Sequence, residues 1–288
     1  MPEAILHDGS IIEIEVHGDG TKPTLLLPVN PQPLTGPQAE AMRQWGADPA
    51  LGHSLIAGLR DLVRVVAFDF EGHLLRTPQP DSLTPANAAA DLRAIADATG
   101  ADRFAYYGYS WLALIGLQLA LRTDRLTALA MGGYPPLGGP YAAMLRVTMA
   151  SHEMAVAAAA KADDGVAEQQ REVEPGDWSS VEISMSPDQT RQFVTLYQAL
   201  QDFDDHAAQV QITCPRLCFA GSADEIQYGP RWGDVLVSIA GPLIAGRVEL
   251  ERLGWEVHVL DGLDHLQAMQ AQQVVPILRP WLASQPRG

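Results

Sequence analysis

The chain has 288 residues, 47% of them hydrophobic, enough for a sizeable core in one α/β domain or two small ones. Its 19 Lys and Arg stand against 35 Asp and Glu, and a net charge of −16 argues against nucleic acid and anionic membranes as partners. No apolar run reaches the roughly 20 residues of a membrane helix, and the first residues lack the basic start and apolar stretch of a secretory signal, so the expectation is a cytoplasmic protein that acts on a small molecule, its oligomeric state open.

Residues 11–16 alternate apolar and polar side chains and predict an antiparallel edge strand. Residues 24–29 form a mostly apolar run, closed by Pro28, Pro31 and Pro33. A second run covers residues 62–70 and ends in Asp69, Glu71, Gly72 and His73. Residues 86–99 have helical periodicity with Gly100 as the stop. Residues 104–107 predict a third buried strand, and residues 111–121, apolar on nearly every side, a buried helix. A fourth strand at 126–131 closes on Gly132 and Gly133. Strands alternating with helices predict a mostly parallel sheet covered by helices on both faces. Such sheets bind ligands at the carboxyl ends of their strands.

Past Pro136 the alternation stops. Residues 141–160 and 187–207 are helical in pattern, and residues 163–185 between them are polar and irregular. The sheet pattern returns at 214–220 and 255–260, and a helical stretch at 267–282 closes the chain. The expected division is an α/β core over residues 1–134 and 212–288, interrupted by a helical cap at 135–211. The two cysteines, Cys214 and Cys218, fall in one predicted strand with α-carbons roughly 13 Å apart, too far for a disulfide. No zinc-type Cys/His spacing and no Gly-rich phosphate loop is present, and no metal or organic cofactor is implied.

The residues with the most chemical content lie at strand ends. Ser110 sits where the run 104–107 and Gly108-Tyr109 meet the apolar helix, the layout of a sharp strand-to-helix turn that exposes a serine hydroxyl. A serine needs a base and a group to orient that base. The strand ending at Ala220 runs into Gly221-Ser222-Ala223-Asp224-Glu225, and the strand ending at Leu260 runs into Asp261-Gly262-Leu263-Asp264-His265. His265 is the candidate base. Asp224 is favoured as the acid over Glu225 and Asp264, because Asp264 adjoins His265 in a turn, where neighbouring side chains diverge.

In this order the four segments resemble the α/β-hydrolase superfamily, from about residue 4 to 283. Gly108-Tyr109-Ser110-Trp111 resembles the nucleophile elbow, Asp69-Phe70-Glu71-Gly72-His73 the D-x-x-G-H turn, Gly221-Ser222-Ala223-Asp224 the acid turn, and Gly262-Leu263-Asp264-His265 the G-x-x-H turn. The resemblance implies a capped serine hydrolase, with Ser110, Asp224 and His265 as the catalytic triad and the Asn30 and Trp111 N–H groups as the oxyanion hole. It implies cleavage of an ester, thioester or lactone. The alternatives are a catalytically impaired ligand-binding protein, or an acyltransferase, lyase or cyclase on the same triad. Two departures stand out: Leu112 replaces the usual Gly two residues after the serine, and Pro28-Val29-Asn30-Pro31 replaces H-G-x-P. Tyr109, Tyr134, Met149 and Tyr197 are the candidate substrate-binding residues, with Trp178 and Phe193 among further apolar residues of the expected cap.

Overall fold

The runs separated by helical stretches become strands of one sheet, because each can bury both faces only between two layers of helices. The computed structural model describes residues 1–163 and 184–285. In chain order the strands are β1 (Glu3–Ile5), β2 (Ile11–Glu13), β3 (Glu15–His17), β4 (Thr24–Leu27), β5 (Arg64–Ala67), β6 (Phe104–Tyr109), β7 (Leu126–Gly132), β8 (Arg216–Gly221), β9 (Glu225–Tyr228), β10 (Val235–Ser238) and β11 (Trp255–Leu260). The helices are α1 (Gly36–Gln44), α2 (Leu51–Leu59), α3 (Phe70–Arg76), α4 (Pro85–Ala98), α5 (Trp111–Ala120), α6 (Tyr141–Asp163), α7 (Pro187–Gln198), α8 (Asp205–Ala208), α9 (Ala240–Ala245), α10 (Arg247–Arg252), α11 (His265–Ala268) and α12 (Ala271–Ser284).

The main sheet has the order β11-β8-β7-β6-β4-β5-β3. Its pairings are parallel except for β3, which runs antiparallel to β5 at one edge. The residues expected as a single strand at 11–16 divide: Ile11–Glu13 pairs with β1 in a hairpin, and only Glu15–His17 joins the sheet. Along each strand successive side chains take opposite faces. Leu26, Val66, Phe104 and Tyr106 pack on one side with α4 and α5 residues such as Leu92, Leu114 and Leu117. Leu25, Leu27, Val65, Ala67, Ala105 and Tyr107 pack on the other with Leu55 and Leu59 of α2 and Val274, Leu278 and Trp281 of α12.

The residues between β7 and β8 supply α6, α7 and α8. Helix α7 is anchored to the core by a buried amide: the Gln192 side chain accepts from the Gln79 N–H at 3.1 Å and donates to the Leu74 carbonyl at 3.2 Å. Residues 164–183 of the expected cap, Trp178 among them, lie outside the described residues. Cys214 and Cys218 are free thiols, as their spacing requires. No described helix is long and apolar enough to cross a membrane.

Candidate functional site

The turn after β6 is built for close approach. A β-carbon on Gly108 would lie 2.4 Å from the Leu112 carbonyl oxygen, so only glycine lets the first turn of α5 fold back over the strand. Ser110 takes φ 56° and ψ −133°, a conformation that L-residues rarely adopt. Its N–H donates to the Gly132 carbonyl at 2.8 Å, which pins the turn to the neighbouring strand. Leu112 does not prevent this geometry. Its side chain is buried to 8% exposure in the core, and its carbonyl accepts the Tyr106 hydroxyl at 2.8 Å.

The candidate acid and base follow β8 and β11, beyond β7 in the sheet. His265 opens α11, and its Nδ1 lies 2.8 Å from Oδ2 of the fully buried Asp224. With Asp224 accepting from Nδ1–H, Nε2 is left as the proton acceptor. The competing carboxylates are engaged elsewhere. Glu225 accepts the Ser238 hydroxyl at 2.7 Å and the Gly241 N–H at 2.8 Å, and Asp264 caps α11 by accepting the Gln267 N–H at 2.8 Å. The two loops interlock: a β-carbon on Gly221 would meet the Leu263 carbonyl oxygen at 2.0 Å, and the Ser222 hydroxyl accepts the Gly262 N–H at 2.8 Å.

Tyr109 ties His265 to the elbow. Its hydroxyl donates to the His265 carbonyl at 2.7 Å, and the two rings lie 5.1 Å apart. Burial, with the nearby Asp224 charge, holds the phenol well above its ordinary pKa, so it remains a donor. Gly132 and Gly133 make the slot for this ring, since a β-carbon on either would come within 2.6 Å of it. The glycine pair that closes the strand in the sequence therefore has a second role that the sequence did not reveal.

Ser110, Trp111, His265, Tyr109 and Asn30 all line one cavity of about 650 Å³. Among the described residues neither the Asn30 nor the Trp111 N–H donates a backbone hydrogen bond, so both donors are free beside the serine. The Asn30 loop is held by Gly52, whose β-carbon would lie 1.9 Å from the Asn30 carbonyl oxygen, and by an Asn30 Oδ1 contact from the Gln32 N–H at 2.9 Å. Among the described residues no hydrogen bond joins the Ser110 hydroxyl to the His265 ring; that contact is often loose before a substrate is bound.

The other substrate-binding candidates sit elsewhere. Tyr134 and Tyr197 are buried in the core, and Met149 is 42% exposed on α6; none of the three lines this cavity. The sequence suggested a pocket beneath the inserted helices because they interrupt the sheet. Instead the wall opposite the elbow is built by the segment between β4 and β5, with Leu34, Met42, Leu51 and Leu55. The inserted helices reach the site indirectly: Phe193 of α7 packs edge-on against Trp111 at 5.4 Å, and Phe70 stacks on it at 6.2 Å.

Glu71 also lines the cavity, a residue with no role legible in the sequence beyond its turn. Asp69 caps α3 by accepting the Gly72 N–H at 3.0 Å, and a β-carbon on Gly72 would strike that carboxylate at 2.0 Å. This turn holds Glu71 at the wall. The residue is exposed by surface area at the cavity wall. Desolvation there raises its pKa, a side-chain hydrogen bond from Trp111 opposes the rise, and the Asp69 charge adds to it.

No protein-family model matches the chain, and no curated protein matches it. Solved structures do. An enol-lactonase from Burkholderia xenovorans LB400 is 18% identical at a TM-score of 0.62, covering 98% of this chain and 100% of that one. A thermophilic esterase from Thermogutta terrifontis is 18% identical at 0.60, with 97% of each chain covered. An ancestral haloalkane dehalogenase is 18% identical at 0.61, with 98% of each covered. The sheet order, the elbow after β6 and these end-to-end superpositions agree: the chain has the α/β-hydrolase fold.

Proposed function

We propose that the protein is a serine hydrolase of carboxylic esters, thioesters or lactones. The observation that carries the reading is the left-handed backbone of Ser110, a non-glycine residue held strained at the tip of the elbow beside two free N–H groups. Strain of that kind persists where it serves chemistry. The Ser110 Oγ attacks the acyl carbonyl carbon while His265 Nε2 takes the hydroxyl proton. Asp224 holds the ring through Nδ1 and stabilises the imidazolium. The Asn30 and Trp111 N–H groups take the oxyanion, each contributing about 2.7–4 kcal/mol to the transition state. His265 then gives its proton to the leaving alcohol or thiol. A water deprotonated by the same nitrogen attacks the acyl-enzyme, and the acid and free Ser110 are restored. The inserted helices act as a cap that buttresses Trp111 from behind.

The names of the neighbours support hydrolysis, and a serine at the nucleophile position favours the lactonase and esterase chemistry among them over the dehalogenase. The test is a fluorophosphonate probe followed by peptide mass mapping. Labelling at Ser110 in the wild type, lost in His265→Ala, is the expected result. A folded protein that stays unlabelled at Ser110 would instead be a binding protein on this fold.

A further inference from the structure

Five acidic, basic or imidazole side chains line the cavity beside Ser110: Asp48, Asp69, Glu71, Arg76 and His265. Four are already engaged. Asp48 accepts the Ala50 N–H at 2.8 Å and the Ser54 hydroxyl at 3.1 Å. Asp69 accepts the Gly72 N–H and pairs with Arg76 at 3.1 Å, and His265 is held by Asp224. Glu71 differs. Among the described residues no basic side chain lies within ion-pair reach of it, and its partner is the indole N–H of Trp111, a neutral donor. Trp111 follows Ser110 directly, so the unpaired carboxylate sits one side chain from the nucleophile. The rest of the wall is largely apolar, with Leu34, Leu51, Leu55 and Leu75.

We propose that Glu71 forms the anionic subsite of this cavity and recognises an organic cation carried by the substrate next to its scissile acyl group. The inference rests on the acyl-hydrolase reading for the reaction, though not for the binding. A neutral ligand that filled the cavity would displace water from the exposed Glu71 carboxylate and give nothing back, a penalty set by desolvating an unpaired charge. A cationic ligand replaces that water with an opposite charge, whose attraction grows in the drier site. It also draws the carboxyl back from the raised pKa that desolvation at the wall gives it. The cavity therefore selects by charge sign before it selects by shape.

Acetylcholine and neohexyl acetate, its neutral carbon isostere, separate the two effects. Their kcat/KM ratio is measured for wild type, Glu71→Gln and Glu71→Ala, and choline and neohexyl alcohol are titrated calorimetrically into the same proteins. The ratio is expected to fall by about tenfold or more on either substitution, mainly through KM, and the wild-type preference for choline over the alcohol to be lost with it. If choline discrimination follows Glu71 while neither ester turns over, the subsite stands and the hydrolase reading fails. If wild type binds choline no better than the alcohol, or if its preference survives both substitutions, the subsite is overturned whatever the esters do.

Discussion

Ser110 holds a backbone conformation that costs a non-glycine residue about 1–3 kcal/mol. The surrounding contacts enforce it: the Gly132 carbonyl takes its N–H, and its own carbonyl takes the Ala113 N–H at 2.9 Å. Removing the side chain should relieve the strain, less the extra backbone entropy that glycine brings to the unfolded chain. Ser110→Gly is therefore expected to abolish turnover yet raise unfolding free energy by about 1 kcal/mol in urea denaturation. A destabilised Ser110→Gly would mean that the side chain contributes packing that outweighs the strain. The same residue shows how far local sequence can be read. Gly108 and the strand-to-helix change mark the turn, and the two downstream strand ends place Asp224 and His265. Glu71 was not legible, because its role comes from what fails to pair with it, and pairing is set by the fold. Tyr134, Met149 and Tyr197 were chosen as apolar residues near an insertion, yet none lines the cavity that holds Ser110: two are buried in the core and Met149 is exposed on α6.

At the scale of elements, β4, β6, β7, β8, α4 and α5 follow from periodicity and strand-ending residues, within two residues at each end. The run at 62–70 shortens to β5 at 64–67, α6 runs on past 160 to 163, the stretch expected at 187–207 ends as α7 at 198, and the one expected at 267–282 begins as α12 at 271. What periodicity did not reveal is the segment between β4 and β5, where α1 and α2 supply the far wall of the cavity. Helix α1 has one buried residue, Ala39, so it leaves no apolar stripe to read. The β9–β10 hairpin was also missed, although its end helps to seat the acid: the Asp224 carbonyl accepts both the Ile239 and Ala240 N–H groups at 3.1 Å. Helix α7 depends on a polar anchor. Gln192 is fully buried and bonded to Gln79 and Leu74. Gln192→Leu keeps the volume but strands a buried N–H and a buried carbonyl, each costing about 1–3 kcal/mol. A stability loss in that range is expected, along with a weaker Phe193 contact on Trp111. A urea midpoint equal to wild type would show that α7 is held by its apolar face alone.

For the whole molecule the balance of charge sets the response to solution conditions. At −16 the surface repels itself, and salt that screens beyond about 8 Å at physiological strength should raise the melting temperature at pH 7. Acidification toward the isoelectric point near 4.7 removes the repulsion and should raise it further. Below that the sign reverses. Hydrogen bonds from Arg279 hold the Asp61 carboxyl at about 2, below its unfolded value, so the unfolded chain takes up a proton first and stability falls as the pH drops through that window. Melting curves across pH should thus peak near 5, and Arg279→Gln should flatten only the acid limb. The sheet order has one more consequence. Asn30, Ser110 and Trp111 come from strands that precede the inserted helices in the chain, whereas Asp224 and His265 come from β8 and β11, which follow them. On the proposed mechanism, a polypeptide divided between β7 and β8 yields one fragment with the nucleophile and no base, and another with the base and no nucleophile. Each is inert alone, and the interlocked Gly221 and Leu263 loops travel together in the second. Turnover would report that the two fragments have met, which makes the division a natural point for a split sensor.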